Sequence, residues 1–251
     1  MVGKILRMRR IFKGDGRSLI VAVDHGIALG PIRGIEDPKE AIRKIVEGEP
    51  DAIMVTPGIL MSVADLLPPN LGIILSIGTA GEGINVDYAV EQAISLGVDA
   101  IKIFLPVNTD NEKVALSETF ALCQRASLQG LPVMVEVYPL KDKYSPEVVS
   151  KYTRIAAEMG ASIVKTFYTG SPETFSNVTS SSLVPVVILG GPKAEDTLSL
   201  FRMVSDSLKA GGSGIAFGRN IWQSDDPQRM IRNLKLIIHE GKSPEEVVGI
   251  E

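Results

Sequence analysis

At 251 residues the chain suits one domain and lies near the upper limit for a single hydrophobic core. Hydrophobic residues make up 45% and charged residues 22%, with a mean hydropathy of +0.18, which excludes a disordered scaffold. The formal net charge of −4 lacks the basic excess that nucleic acid requires, and two histidines with one cysteine exclude a zinc site built on His and Cys ligands.

A lone Cys123 cannot form a disulfide within its chain, which fits a reducing, cytoplasmic setting. No apolar run approaches the ~18 residues of a membrane span, so no membrane partner is expected. The opening MVGKILRMRRIF is too basic and too interrupted for a signal peptide. It reads as a short amphipathic helix covering one end of the fold, with a transit peptide as the alternative.

Eight short runs rich in Val, Ile and Leu follow, separated by helix-like segments. They are Leu19–Val23, Ala52–Val55, Gly72–Ile77, Ala100–Leu105, Val133–Val137, Ile163–Thr166, Val186–Leu189 and Gly214–Phe217. Several are apolar on consecutive residues, as parallel strands covered on both faces are. Asp37-Pro38, Ser145-Pro146, Ser171-Pro172-Glu173 and Asp226-Pro227 each pair a capping side chain with proline at the first helical position. Gly97, Gly130, Gly160 and Gly211 stand where helices must stop. Eight βα units without a linker predict one (β/α)8 barrel over residues 1–251, with a short N-terminal helix; an open doubly wound sheet is the alternative, because period alone does not show closure.

Such barrels place their chemistry at the carboxyl ends of the strands. The last two strands run into Gly190-Gly191-Pro192-Lys193 and Gly218-Arg219-Asn220. Glycine amides, aided by a following helix N-terminus, can grip phosphate, with Arg219 adding charge and Lys193 in a lesser role. Tight turns are the bland alternative. Lys165 puts an ammonium at the centre of an apolar strand. Only a neutral amine attacks a carbonyl, so a nucleophilic lysine needs burial or a neighbouring cation; a structural ion pair or an outward snorkelling chain would also account for it. Lys102, also inside a strand, rivals it but has no accompanying polar cluster in its immediate sequence.

Tyr138 and Asp24 end their strands and complete an acid-base set, or else serve as a rim tyrosine and a loop cap. His25 is a candidate substrate contact or a structural hydrogen-bonding residue. Glu136 is expected to pair with a lysine, and His239, beside Glu240 and Lys242, to be exposed.

The strings VDHGIALGP (Val23–Pro31), VYP (Val137–Pro139), IVKTFYTG (Ile163–Gly170), LGGPK (Leu189–Lys193) and FGRNIWQ (Phe217–Gln223) resemble the archaeal-type class I aldolase family. That group includes fructose-bisphosphate aldolase and 2-amino-3,7-dideoxy-D-threo-hept-6-ulosonate synthase. The resemblance implies a Schiff base on Lys165, acid-base work by Tyr138, proton transfer assisted by Asp24, and phosphate contacts at Gly190, Gly191, Gly218 and Arg219. It implies no metal and no cofactor beyond the covalent imine, a phosphorylated sugar substrate, and a homo-oligomer of up to ten copies. Fructose 1,6-bisphosphate cleavage is the expected reaction, with the heptulosonate synthase as second reading and a non-catalytic phosphosugar-binding barrel as the alternative of another class. The chain departs from the family in having Leu140-Lys141 where arginine usually follows the YP pair. GPIRG (Gly30–Gly34) and IVKT lean toward the synthase, NIWQ toward the bisphosphate aldolase.

Overall fold

Inward and outward residues alternate along every apolar run, and this alternation builds the architecture. In a computed structural model, which describes residues 2–249, eight parallel strands close into a barrel in chain order. They are β1 (Ser18–Ala22), β2 (Ala52–Val55), β3 (Gly72–Thr79), β4 (Ala100–Val107), β5 (Val133–Pro139), β6 (Ile163–Thr166), β7 (Val186–Leu189) and β8 (Gly214–Phe217). Pairing of β1 with β8, Leu19 beside Ile215 and Val21 beside Phe217, supplies the closure that sequence period leaves open. Met1, Ile250 and Glu251, the ends of the expected domain, lie outside the described residues.

Four strands, β2, β6, β7 and β8, coincide with their apolar runs, and β1 is displaced by one residue. β3, β4 and β5 each continue two residues past the expected end. The hydrophobic pattern stops at the rim, whereas the backbone ladder goes on, pairing Pro106 with Tyr138 and Val107 with Pro139. The helices begin where their caps predict: Asp37 accepts from the amides of Lys39 and Glu40, and Ser145, Ser171 and Asp226 cap Pro146–Glu158, Pro172–Ser181 and Pro227–Glu240.

The inner layer holds Ile20, Ala22, Met54, Ile74, Met134, Ile163, Val187 and Ala216. Residues of opposite parity, such as Val21, Ile53, Val164 and Ile188, face outward to helix residues including Ile45, Phe175 and Phe201. Ile11 and Phe12, at the end of helix Val2–Ile11, join the inner layer and plug the amino-terminal end of the barrel, as expected of the opening segment. Among the described residues no helix is long and apolar enough to cross a membrane. One layer closer to the carboxyl end, the inward positions turn polar: Asp24, Ser76, Lys102, Glu136 and Lys165 are all buried there.

Candidate active site

Strand register brings these polar residues together. Ser76 lies beside Lys102 and Glu136 beside Lys165, and each lysine and Glu136 stands two residues after an inner-layer apolar residue of its own strand, Ala100, Met134 and Ile163. Glu136 bridges the lysines, its Oε1 2.7 Å from Lys165 Nζ and its Oε2 2.6 Å from Lys102 Nζ. Lys102 also donates to Asp24 Oδ2 at 3.1 Å. Two cations and two carboxylates thus form a neutral buried tetrad. Lys102 therefore does sit in a polar cluster, although its sequence neighbours carry none, because its partners come from the residues just after β1 and from β5.

The charges set one another's protonation. Burial alone would raise the Asp24 and Glu136 carboxyls, but the Lys102 and Lys165 ammonium groups hold both below the usual carboxylate range. Burial alone would lower Lys102, and Asp24 with Glu136 reverses this and drives it above the ordinary lysine value. Burial pulls the His25 imidazole below its ordinary pKa; Asp24 opposes the shift, while Lys165 and Arg219 add to it. His25 Nδ1 lies 3.6 Å from Asp24 Oδ1, too far to bond, and is buried without a hydrogen-bond partner.

Above the tetrad opens a cavity of about 600 Å³. Its walls include Tyr138, Phe104, Phe167, Lys143 and Tyr144, and its rim carries Gly190, Gly191, Gly218 and Arg219. All eight residues singled out in the sequence, Asp24, His25, Tyr138, Lys165, Gly190, Gly191, Gly218 and Arg219, line this one cavity. The Tyr138 ring is gripped between Phe104 and Phe167, at centroid distances of 5.0 and 4.8 Å.

The last two loops are stapled by a residue that sequence reasoning missed. Buried Asn220 donates to the Gly190 carbonyl at 2.7 Å and accepts from the Ala194 amide at 2.7 Å. An asparagine directly after Gly-Arg was the available signal. Gly218 is required sterically, because a Cβ there would lie 2.5 Å from His25 Cε1 and 2.8 Å from the Ala22 carbonyl oxygen. Arg219 opens the short helix Arg219–Trp222 and its Nε is buried without a partner. Trp222 Nε1 donates to the Ala22 carbonyl at 2.9 Å and thereby ties β8 to β1. Two expectations change here. The helix after β7 begins only at Thr197, and its first amides are taken by Asp196 and so do not face the mouth as free donors. Lys193 donates to the Gln223 carbonyl at 2.8 Å and fixes the loop.

Residues 18–224 match the DeoC/LacD family aldolase profile. The chain belongs to the DeoC/LacD aldolase family. Among relatives of this aldolase, an uncharacterized aldolase of Saccharolobus solfataricus is 36% identical, over 100% of this chain and 99% of its own length. A 2-amino-3,7-dideoxy-D-threo-hept-6-ulosonate synthase of Halobacterium salinarum is 31% identical, over 98% of this chain and 96% of its own. A solved Schiff-base-forming fructose-1,6-bisphosphate aldolase is 30% identical, covers 94% of this chain and 100% of that one, and superposes with a TM-score of 0.84. The aldolase is thus an enzyme of the class I, Schiff-base type with the expected barrel fold.

Proposed function

We propose that the aldolase cleaves and forms a C–C bond in a phosphorylated ketose through an imine on Lys165, with fructose 1,6-bisphosphate giving glycerone phosphate and glyceraldehyde 3-phosphate as the reaction. One observation carries this reading: Lys165 lies on the floor of a cavity whose rim holds the Gly190-Gly191 and Gly218-Arg219 loops. Lys102, held between two carboxylates, is the poorer nucleophile of the two lysines.

Loop amides and Arg219 would hold the phosphate and so fix the ketose C2 carbonyl over Lys165, a proximity contribution. Loss of water from the adduct leaves an iminium, a far better electron acceptor than the ketone. Asp24 would accept the proton of the hydroxyl whose collapse breaks the C–C bond, and Tyr138, whose hydroxyl makes no hydrogen bond among the described residues, would relay protons to and from the substrate. His25 serves as a neutral substrate contact.

The Halobacterium salinarum relative and the GPIRG string favour a second reading, transaldol synthesis of the heptulosonate. A mass-spectrometric product screen decides between them. Fructose 1,6-bisphosphate alone should release triose phosphates; a new amino-sugar acid, formed only when aspartate semialdehyde is added with a deoxy-ketose phosphate, would transfer the assignment to the synthase. Ligand binding without turnover would leave a phosphosugar-binding barrel. One domain over residues 1–251 that assembles as a homo-oligomer, up to a decamer, completes the proposal. Exposed Val2, Ile5, Leu6 and Leu128 provide an apolar surface for assembly, and light scattering at catalytic concentration tests it.

A further inference from the structure

Buried charges are tolerated only when a partner balances them, so a proton can move cheaply inside the barrel only between groups whose combined charge is unchanged. The tetrad of Asp24, Lys102, Glu136 and Lys165 meets that condition. Glu136 is the one carboxylate in contact with Lys165 among the described residues, at 2.7 Å, while Asp24 pairs with Lys102 at 3.1 Å. The Tyr138 ring packs between Phe104 and Phe167.

We propose that Glu136 is the acid-base residue for imine formation at Lys165, and that Lys102 is the positioning residue that holds Glu136 for this task. The inference rests on the aldolase reading above and adds two residues to it.

The proton balance is as follows. Glu136 takes one proton from the Lys165 ammonium, which leaves a neutral amine and a carboxylic acid. The amine lone pair forms the C–N bond to the ketose C2, the carbonyl π pair moves to oxygen, and a proton passes from nitrogen to that oxygen. Glu136 then returns its proton to the carbinolamine hydroxyl, the C–O bond breaks with loss of water, and the nitrogen lone pair closes the iminium. Three protons on the starting ammonium end as one on the iminium and two in water, and Glu136 is a carboxylate again. After the first transfer Lys102 and Asp24 still balance each other, and the iminium later restores the second pair. The tetrad is therefore neutral at both stages.

Lys102 makes this possible by fixing Glu136 Oε2 at 2.6 Å, which leaves Oε1 directed at Lys165. The groups that bear on Glu136 are Lys102 from β4, Lys165 from β6, Asp24 just after β1 and, more weakly, His25 beside it. His25 and Arg219 stand farther out at the mouth.

The experiment measures the rate at which borohydride traps the glycerone phosphate adduct of Lys165, across pH, in the full-length enzyme. Glu136→Gln should trap 10²–10⁴-fold more slowly, the range for general acid-base catalysis, with little change in the glycerone phosphate concentration giving half-maximal trapping. Lys102→Met should move the acid limb of the trapping profile to higher pH, because Glu136 loses its balancing cation, and Lys102→Arg should restore it. If Glu136→Gln fails to fold by circular dichroism, Glu136→Asp, which withdraws the carboxylate by one methylene, takes its place with the same expected direction. Wild-type trapping rates in the folded Glu136 variant, or an unshifted profile in Lys102→Met, would overturn the proposal. Absence of any tag on the wild-type enzyme with every ketose phosphate offered would instead overturn the aldolase reading itself.

Discussion

The two ends of the barrel use the same residue types for opposite ends. At the amino-terminal end Asp51 and Asp99 precede β2 and β4, and their carboxylates are fully employed. Asp51 accepts from the Leu19 amide at 2.6 Å and contacts His239 Nε2 at 2.8 Å, while Asp99 accepts from the Ile73 amide and pairs with Arg10. Ile11 and Phe12 seal the space between them. At the carboxyl end Asp24 shares one lysine with Glu136, and His25 Nδ1 and Arg219 Nε are buried without partners. Carboxylates tied to backbone amides and cations, as at the amino-terminal end, serve stability, although Arg7 Nε on the covering helix is also buried without a partner. At the other end the unpartnered His25 and Arg219 nitrogens belong to residues that line a cavity, which prepares that end for a ligand.

That contrast can be broken at either end. Lys165→Met should abolish borohydride tagging and lower turnover by at least about 10³-fold; Tm should fall as well, because Lys102 alone then balances the buried Asp24 and Glu136 carboxylates, but turnover is the larger loss. Asp51→Ala should do the reverse: the Leu19 amide and His239 lose a buried acceptor, a loss of about 2–4 kcal/mol seen in urea unfolding, with kcat within twofold of wild type. Arg219→Ala, which removes a charge-assisted contact of about 1.5–3 kcal/mol, should raise KM for the phosphorylated ketose about 10–100-fold with little effect on an unphosphorylated analogue.

The smallest expected effect belongs to His239, whose ring lies between Asp15 and Asp51 at 2.8 Å from each. The Asp51 hydrogen bond raises its pKa, burial opposes this, and Asp15 adds to the rise. A folded pKa above the unfolded one means the contribution is fully present below the ordinary histidine value of ~6.5 and is lost as pH climbs through the folded value. Tm should therefore fall by about 2–4 °C across that interval relative to His239→Gln. Equal pH slopes in the two proteins would remove His239 from the clamp. Its partial burial also corrects the exposed position expected from Glu240 and Lys242: the helix Pro227–Glu240 turns this one side chain onto the base of the barrel.

The sequence by itself determined the strands, the caps, the plug and the eight residues of the mouth. Each of these is local: an apolar run, a side chain before a proline, or a glycine after a strand, and the chemistry is complete within a few residues. Only the tertiary structure decided what Lys102, Glu136 and Asn220 do. Glu136 could be assigned a lysine partner in general terms, and strand parity could turn it inward, but which lysine it meets depends on the registers of β4, β5 and β6. Asp24 reaches Lys102 across the barrel interior, between positions 78 residues apart in the chain. Closure brings these charges to one depth, and a neutral tetrad is a property of that meeting, since no member's burial would be tolerable beside its own sequence neighbours alone.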